Sequence, residues 1–117
     1  MKFLDVLVFY LGGTMEALGE RIRELRTRRN WTLRDLSERT GVSVQMLSFI
    51  ERGDKAGSIQ TLGKIAEAFS ISPGLLQDLD VEMDRLVEIS EILDGLQHLR
   101  PEQVEIVRSL VRSLRSV

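Results

Sequence analysis

The sequence predicts an all-α protein, with five short helices forming a head and two further helices forming a C-terminal hairpin. Three observations predict it. Apolar residues recur at helical spacing from Glu16 almost to the C-terminus. Serine, threonine and proline stand where helices should start, and glycine where they should stop. From Glu16 onward no run shows the strict apolar/polar alternation of a half-buried strand.

The first helix carries Leu18, Ile22 and Leu25 between arginines and glutamates, and should open at Met15 and end near Asn30. Thr32 is placed to cap the second helix, with Asp35 three residues on as its reciprocal partner and Trp31 and Leu36 at the positions of a hydrophobic staple. Gly41 ends that helix, since glycine takes the left-handed conformation of a tight exit without penalty. Ser43 caps a third helix, again inside a staple formed by Val42 and Leu47, and Gly53 stops it. Two short helices joined by so tight a turn have the form of a helix-turn-helix, here between Thr32 and Gly53. Ser58 caps a fourth helix bearing Leu62, Ile65, Ala66 and Phe69. Ser72-Pro73 opens a fifth, with Leu75, Leu76 and Leu79 as its apolar residues. The hairpin follows: Met83, Leu86, Ile89, Leu93 and Leu96 make one stripe, flanked by Val87 and Ile92. Pro101 then starts a last helix with Val104, Val107, Leu110, Val111 and Leu114.

Three regions result: an apolar N-terminal extension (1–14), the helix-turn-helix head (15–79) and a helical interaction region (80–117). The extension is open to three readings, namely an added strand, a flexible apolar tail, or translation from a start codon upstream of the domain. It is too short and too interrupted to span a bilayer as a helix. No small-residue cleavage site follows it, so a signal peptide is not indicated.

Composition limits the chemistry. The 117-residue chain has no cysteine and a single histidine, His98, so thiolate or histidine metal clusters and disulfides are excluded. A cytoplasmic location fits. No phosphate-cradling glycine loop and no nucleophile with a histidine partner is present. The expectation is a protein that is not an enzyme and uses no cofactor, metal, membrane or small-molecule ligand. The net charge is −2, but it is unevenly spread. Met15 to Ser72 holds ten Lys/Arg against eight Asp/Glu, with Arg21, Arg23, Arg26, Arg28 and Arg29 crowded together. From Pro73 onward five face nine. Part of the early arginine cluster reads equally as a solvated face paired with Glu20 and Glu24.

Leu36 through Gly53, with Gly41-Val42-Ser43 at the turn and Leu47-Ser48-Phe49-Ile50-Glu51-Arg52-Gly53 at the close, resembles the phage-repressor (XRE, Cro/cI-like) helix-turn-helix family. Thr61-Leu62-Gly63-Lys64-Ile65-Ala66 is similar to the fourth helix of that family, so the resemblance covers about Glu16 to Leu79. It implies a DNA-binding transcriptional regulator whose third helix reads the duplex, and an Arg26–Glu51 ion pair bracing that helix. Two positions depart from the pattern. Gly57 stands where a proline is usual, and Leu33 where some members carry a phosphate-binding glutamine.

The residues of the third helix agree with that implication. With Met46, Leu47 and Ile50 inward, the outward stripe is Val44, Gln45, Ser48, Phe49 and Arg52. A helix fits the major groove, where base edges are distinguishable. Gln45 is the candidate for adenine, Val44 and Phe49 for thymine methyls, and Ser48 for a base or a phosphate. Arg52 and Lys55, with the helix N-termini at Thr32 and Ser43, are candidate phosphate contacts. Phe49 has a second role open to it, packing on the fourth helix; exposed Gln45, Arg52 and Lys55 could equally be ordinary solvated residues. The C-terminal helices expose more apolar surface than two short helices bury, so a homodimer through 80–117 on a paired half-site operator is expected, with repression the favoured outcome. Docking of these helices on the head is the alternative use of that surface. The competing function is an antitoxin-like or accessory protein-interaction module on the same fold.

Overall fold

A computed structural model describes the backbone of residues 3–116 and the side chains of residues 15–116. Among the described residues seven helices follow in order: α1 (Phe3–Arg28), α2 (Leu33–Thr40), α3 (Val44–Glu51), α4 (Ile59–Ala68), α5 (Pro73–Gln77), α6 (Met83–Leu96) and α7 (Pro101–Arg115). There is no strand among the described residues. The all-α architecture with a five-helix head is as the sequence predicts.

Caps set the boundaries. Thr32 Oγ1 accepts the Asp35 amide at 3.0 Å while Asp35 Oδ2 accepts the Thr32 amide at 2.8 Å, closing a capping box at the start of α2. Ser43, Ser58 and Ser72 each accept the third amide of α3, α4 and α5. Gly41 leaves α2 in the left-handed region, φ 73°, and returns its amide to Ser37 O at 2.8 Å. Buried Thr40 completes the turn: its hydroxyl donates to Leu36 O and accepts from the Val42 amide.

The core gathers Ile22 and Leu25 from α1, Leu36 from α2, Leu47 and Ile50 from α3, Ile65 from α4, then Phe69 and Leu76. α1 crosses the end of α3 at Gly19, where a Cβ would strike the Ile50 and Glu51 carbonyl oxygens. The absent side chain is what lets the two backbones approach.

Three expectations need correcting. First, α1 begins at Phe3, so residues 3–14 are helical and continuous with the head; a strand there is overturned. Gly12-Gly13 does not stop the helix, because glycine in a helix interior costs about 1 kcal/mol and does not forbid it. Second, α5 stops at Gln77, leaving Leu79 outside it and exposed. Third, α6 and α7 are consecutive but do not pair face to face as a hairpin. α6 docks on the head, burying Leu86, Val87 and Ser90, while α7 buries none of its residues.

The reason for α6 docking is polar as well as apolar. α4 ends with the Phe69 carbonyl unpaired by its own helix, and Ser90 Oγ donates to it at 2.6 Å. Ser90 Oγ in turn accepts from Arg29 Nη2 at 2.7 Å. The Arg29 guanidinium lies over Trp31 and Phe69, whose rings stack with centroids 5.3 Å apart. Asp94 accepts the Ser70 hydroxyl, and Asp84 pairs with Arg28. α6 therefore packs on the head across the boundary expected after residue 79.

Candidate nucleic-acid interface

α3 is held by its inner face and by both ends. Leu47 and Ile50 are buried, Glu51 is 9% exposed, and Met46 packs against the core from its rim. Glu51 receives two hydrogen bonds from Arg26, Nε to Oε2 at 2.8 Å and Nη2 to Oε1 at 2.9 Å, and Arg26 Nη1 donates to Trp31 O. One arginine thus ties the end of α3 to α1 and to the entry of α2. The carboxylate hydrogen bond raises the Arg26 pKa above its ordinary value, against the opposing effect of burial.

The opposite face of α3 carries the candidate readers. Val44 and Gln45 are exposed at its N-terminal end; Ser48 and Phe49 are half-buried on the following turn. Phe49 is absent from the core cluster and is covered instead by two cations, Arg52 at 5.2 Å and Lys55 at 4.8 Å from its ring centroid. Lys55 reaches this face because the chain folds back after α3. Gly53 takes φ 77°, and the amides of Asp54 and Lys55 both point to Phe49 O. Glu16 of α1 fills the space beside Gly53, so a Cβ there would collide with its backbone. Arg52 is tethered, donating to Ser48 O and pairing with Asp54 at 3.4 Å.

The two helix starts are not equivalent. At α3, Ser43 uses its oxygen on the Met46 amide. At α2, both the Thr32 amide and the Thr32 oxygen are engaged with Asp35, whose carboxylate sits on the positive end of the helix. These hydrogen bonds hold the Asp35 pKa below the ordinary carboxylate range. Leu33, next in sequence, brings no side-chain donor. Val44, Gln45, Ser48, Phe49, Arg52 and Lys55 thus share one surface, with Ser43 at its head, while Thr32 lies on the flank with its groups already occupied. Sequence reasoning passed over Gly19, for which an isolated glycine inside an amphipathic helix was the signal available; Arg23 entered it only as one of five crowded arginines.

Residues 22–76 match the family model described as helix-turn-helix. SinR of Bacillus subtilis, an HTH-type transcriptional regulator, is 33% identical over 81 residues, covering 60% of this chain and 73% of that protein. The chain belongs to the phage-repressor type of helix-turn-helix family. SutR of Escherichia coli, an HTH-type transcriptional regulator, is 41% identical over 54 residues, which is 46% of this chain and 30% of that protein. An uncharacterized HTH-type transcriptional regulator of Mycobacterium tuberculosis is 36% identical over 78 residues, or 67% of this chain. The chain spans only 30% of that relative's length. No solved structure is matched. Among the described residues no helix is long and apolar enough to cross a membrane.

Proposed function

We propose that this protein is a sequence-specific DNA-binding transcriptional regulator that represses as a dimer on paired half-sites. One observation carries the reading: α3 is clamped by Leu47, Ile50 and the Arg26–Glu51 pair, while its free face presents Val44, Gln45, Ser48 and Phe49. A helix fixed in this way offers base edges a constant pattern of amide, hydroxyl and apolar groups. In this reading Gln45 reads an adenine, and Val44 and Phe49 meet thymine methyls. Ser43, Arg52 and Lys55 hold the backbone; Thr32 contributes least, because Asp35 already occupies its amide.

The dimer is assigned to α7. Val104, Ile106, Leu110, Val111 and Leu114 are all exposed on it, whereas α6 buries Leu86 and Val87 on the head and exposes only Ile92 and Leu96 among its large apolar residues. Two heads reading half-sites gain affinity and specificity over one.

The test is binding of the full chain to mixed genomic duplex fragments over a range of salt. A DNA regulator loses affinity steeply as salt rises, with a slope of about 0.9 per phosphate neutralised. A flat or absent response overturns the reading and leaves the protein-interaction module as the function of the fold.

A further inference from the structure

A notch of about 230 Å³ opens beside the reader helix, lined by Arg23, Arg26, Leu33, Ser48, Glu51 and Arg52. Its charges are unevenly used. Arg26 and Glu51 neutralise each other, and Arg52 is shared with Asp54. Arg23 is exposed and has no ion-pair or hydrogen-bond partner among the described residues, although Glu20 and Glu24 lie one turn or less away on its own helix. Its neighbours differ: Arg28 is held by Glu24 and Asp84, Arg29 by Ser90 and Asp94, and Arg21 by Val81 O. Of the five clustered arginines, Arg23 alone therefore brings an uncommitted cation to the flank of α3.

The start of α2 on the same flank is less open to an anion than a bare helix end. Leu33 brings no side-chain donor there, and the Asp35 carboxylate takes the Thr32 amide. A phosphate approaching α2 along its axis would meet that carboxylate. One approaching through the notch would meet a lining that includes both Arg23 and Ser48.

We propose that Arg23 and Ser48 form the backbone-phosphate site on this side of the duplex, replacing the start of α2 as the anchor there. The proposal rests on the DNA-binding reading above. Arg23, on α1, then fixes how far the N-terminal end of the head stands from the groove, and Ser48 serves phosphate in preference to a base. Arginine suits the task because its planar fork binds phosphate through two parallel hydrogen bonds.

The experiment measures binding of the full-length chain to a random-sequence duplex by fluorescence anisotropy across salt. Arg23→Gln, Arg23→Lys and, as a control on total charge, Arg85→Gln at an exposed position of α6 are compared with wild type. Arg23→Gln is expected to weaken binding at least several-fold at low salt and to lower the salt slope by about 0.9 for each head engaged. Arg23→Lys should keep the slope, and Arg85→Gln should keep both slope and affinity. An unchanged slope in Arg23→Gln, or an equal loss in Arg85→Gln, overturns the assignment of Arg23 while leaving the DNA reading intact. Absence of salt-dependent binding by the wild type overturns the DNA reading itself. Ser48→Ala tested on a selected high-affinity site and on random duplex separates the two roles of Ser48: equal loss on both supports the phosphate contact, and loss confined to the selected site overturns it.

Discussion

Gln45 and Arg52 lie on one face of α3, seven residues apart, yet the structure equips them for different work. Gln45 stands free at the exposed start of the helix, whereas Arg52 is tethered to Ser48 O and Asp54 and lies over Phe49. Gln45→Ala is therefore expected to cost about 1–3 kcal/mol at one base pair and little on random DNA. Arg52→Ala should weaken cognate and random duplex alike; equal losses from both variants would refute this division. Behind the face, Glu51→Gln removes the charge that Arg26 is buried to meet. Breaking a buried pair in this way should cost about 3 kcal/mol in a denaturation experiment. Asp35 adds a pH dependence. Its pKa is depressed in the folded protein, so its stabilising contribution is complete above the ordinary carboxylate range and is lost as pH falls through that range to the depressed value. The stability difference between wild type and Asp35→Ala should shrink on acidification, and a difference independent of pH would show that the carboxylate charge does not matter.

Among the helices, what the sequence made legible was whatever lies within one turn of chain. Thr32, Gly41 and Ser43 announce themselves because their partners are three or four residues away, and the limits of α2 and α3 follow from them. Phe49, left open between core and surface, could be settled only by knowing where Lys55 returns after Gly53. Contacts between distant segments were invisible for the same reason. Ser90 reads as a polar break in an apolar stripe, yet it is 1% exposed because it completes the end of α4, twenty-one residues earlier. Gly19 reads as a weak point in α1, yet α3 passes directly beneath it. The two glycines Gly19 and Gly41 make this difference measurable. Gly41→Ala meets open space and should lose only the left-handed preference, about 1–2 kcal/mol. Gly19→Ala gains helix propensity but drives a methyl into backbone carbonyls, so its loss should exceed about 3 kcal/mol by urea unfolding. If Gly19→Ala proves the more stable variant, the α1–α3 crossing is looser than described.

At the scale of the whole molecule, the question is where the head ends and association begins. Sequence composition turns acidic after Asp80, which invites a boundary there, but α6 packs against the head across it. Leu86 and Val87 are buried against the head, and Ser90 and Asp94 join it to Arg29 and Ser70. Removing α6 takes away two buried apolar side chains, worth about 1.5–3 kcal/mol each, and leaves the Phe69 carbonyl with only the 3.4 Å contact from Arg29 Nη2. Against a total stability of about 5–15 kcal/mol for a typical domain, that is a large share. Removing α7 takes away no buried residue. Two truncations should then behave differently. A chain ending at Asp80 should unfold at markedly lower denaturant than wild type, and its weak DNA binding would reflect instability. A chain ending at Arg100 should keep the wild-type unfolding midpoint at low concentration, run as a monomer in light scattering, and bind paired half-sites no better than a single one. Should the Arg100 truncation remain dimeric, association runs through a surface other than α7, and the exposed stripe from Val104 to Leu114 serves a different partner.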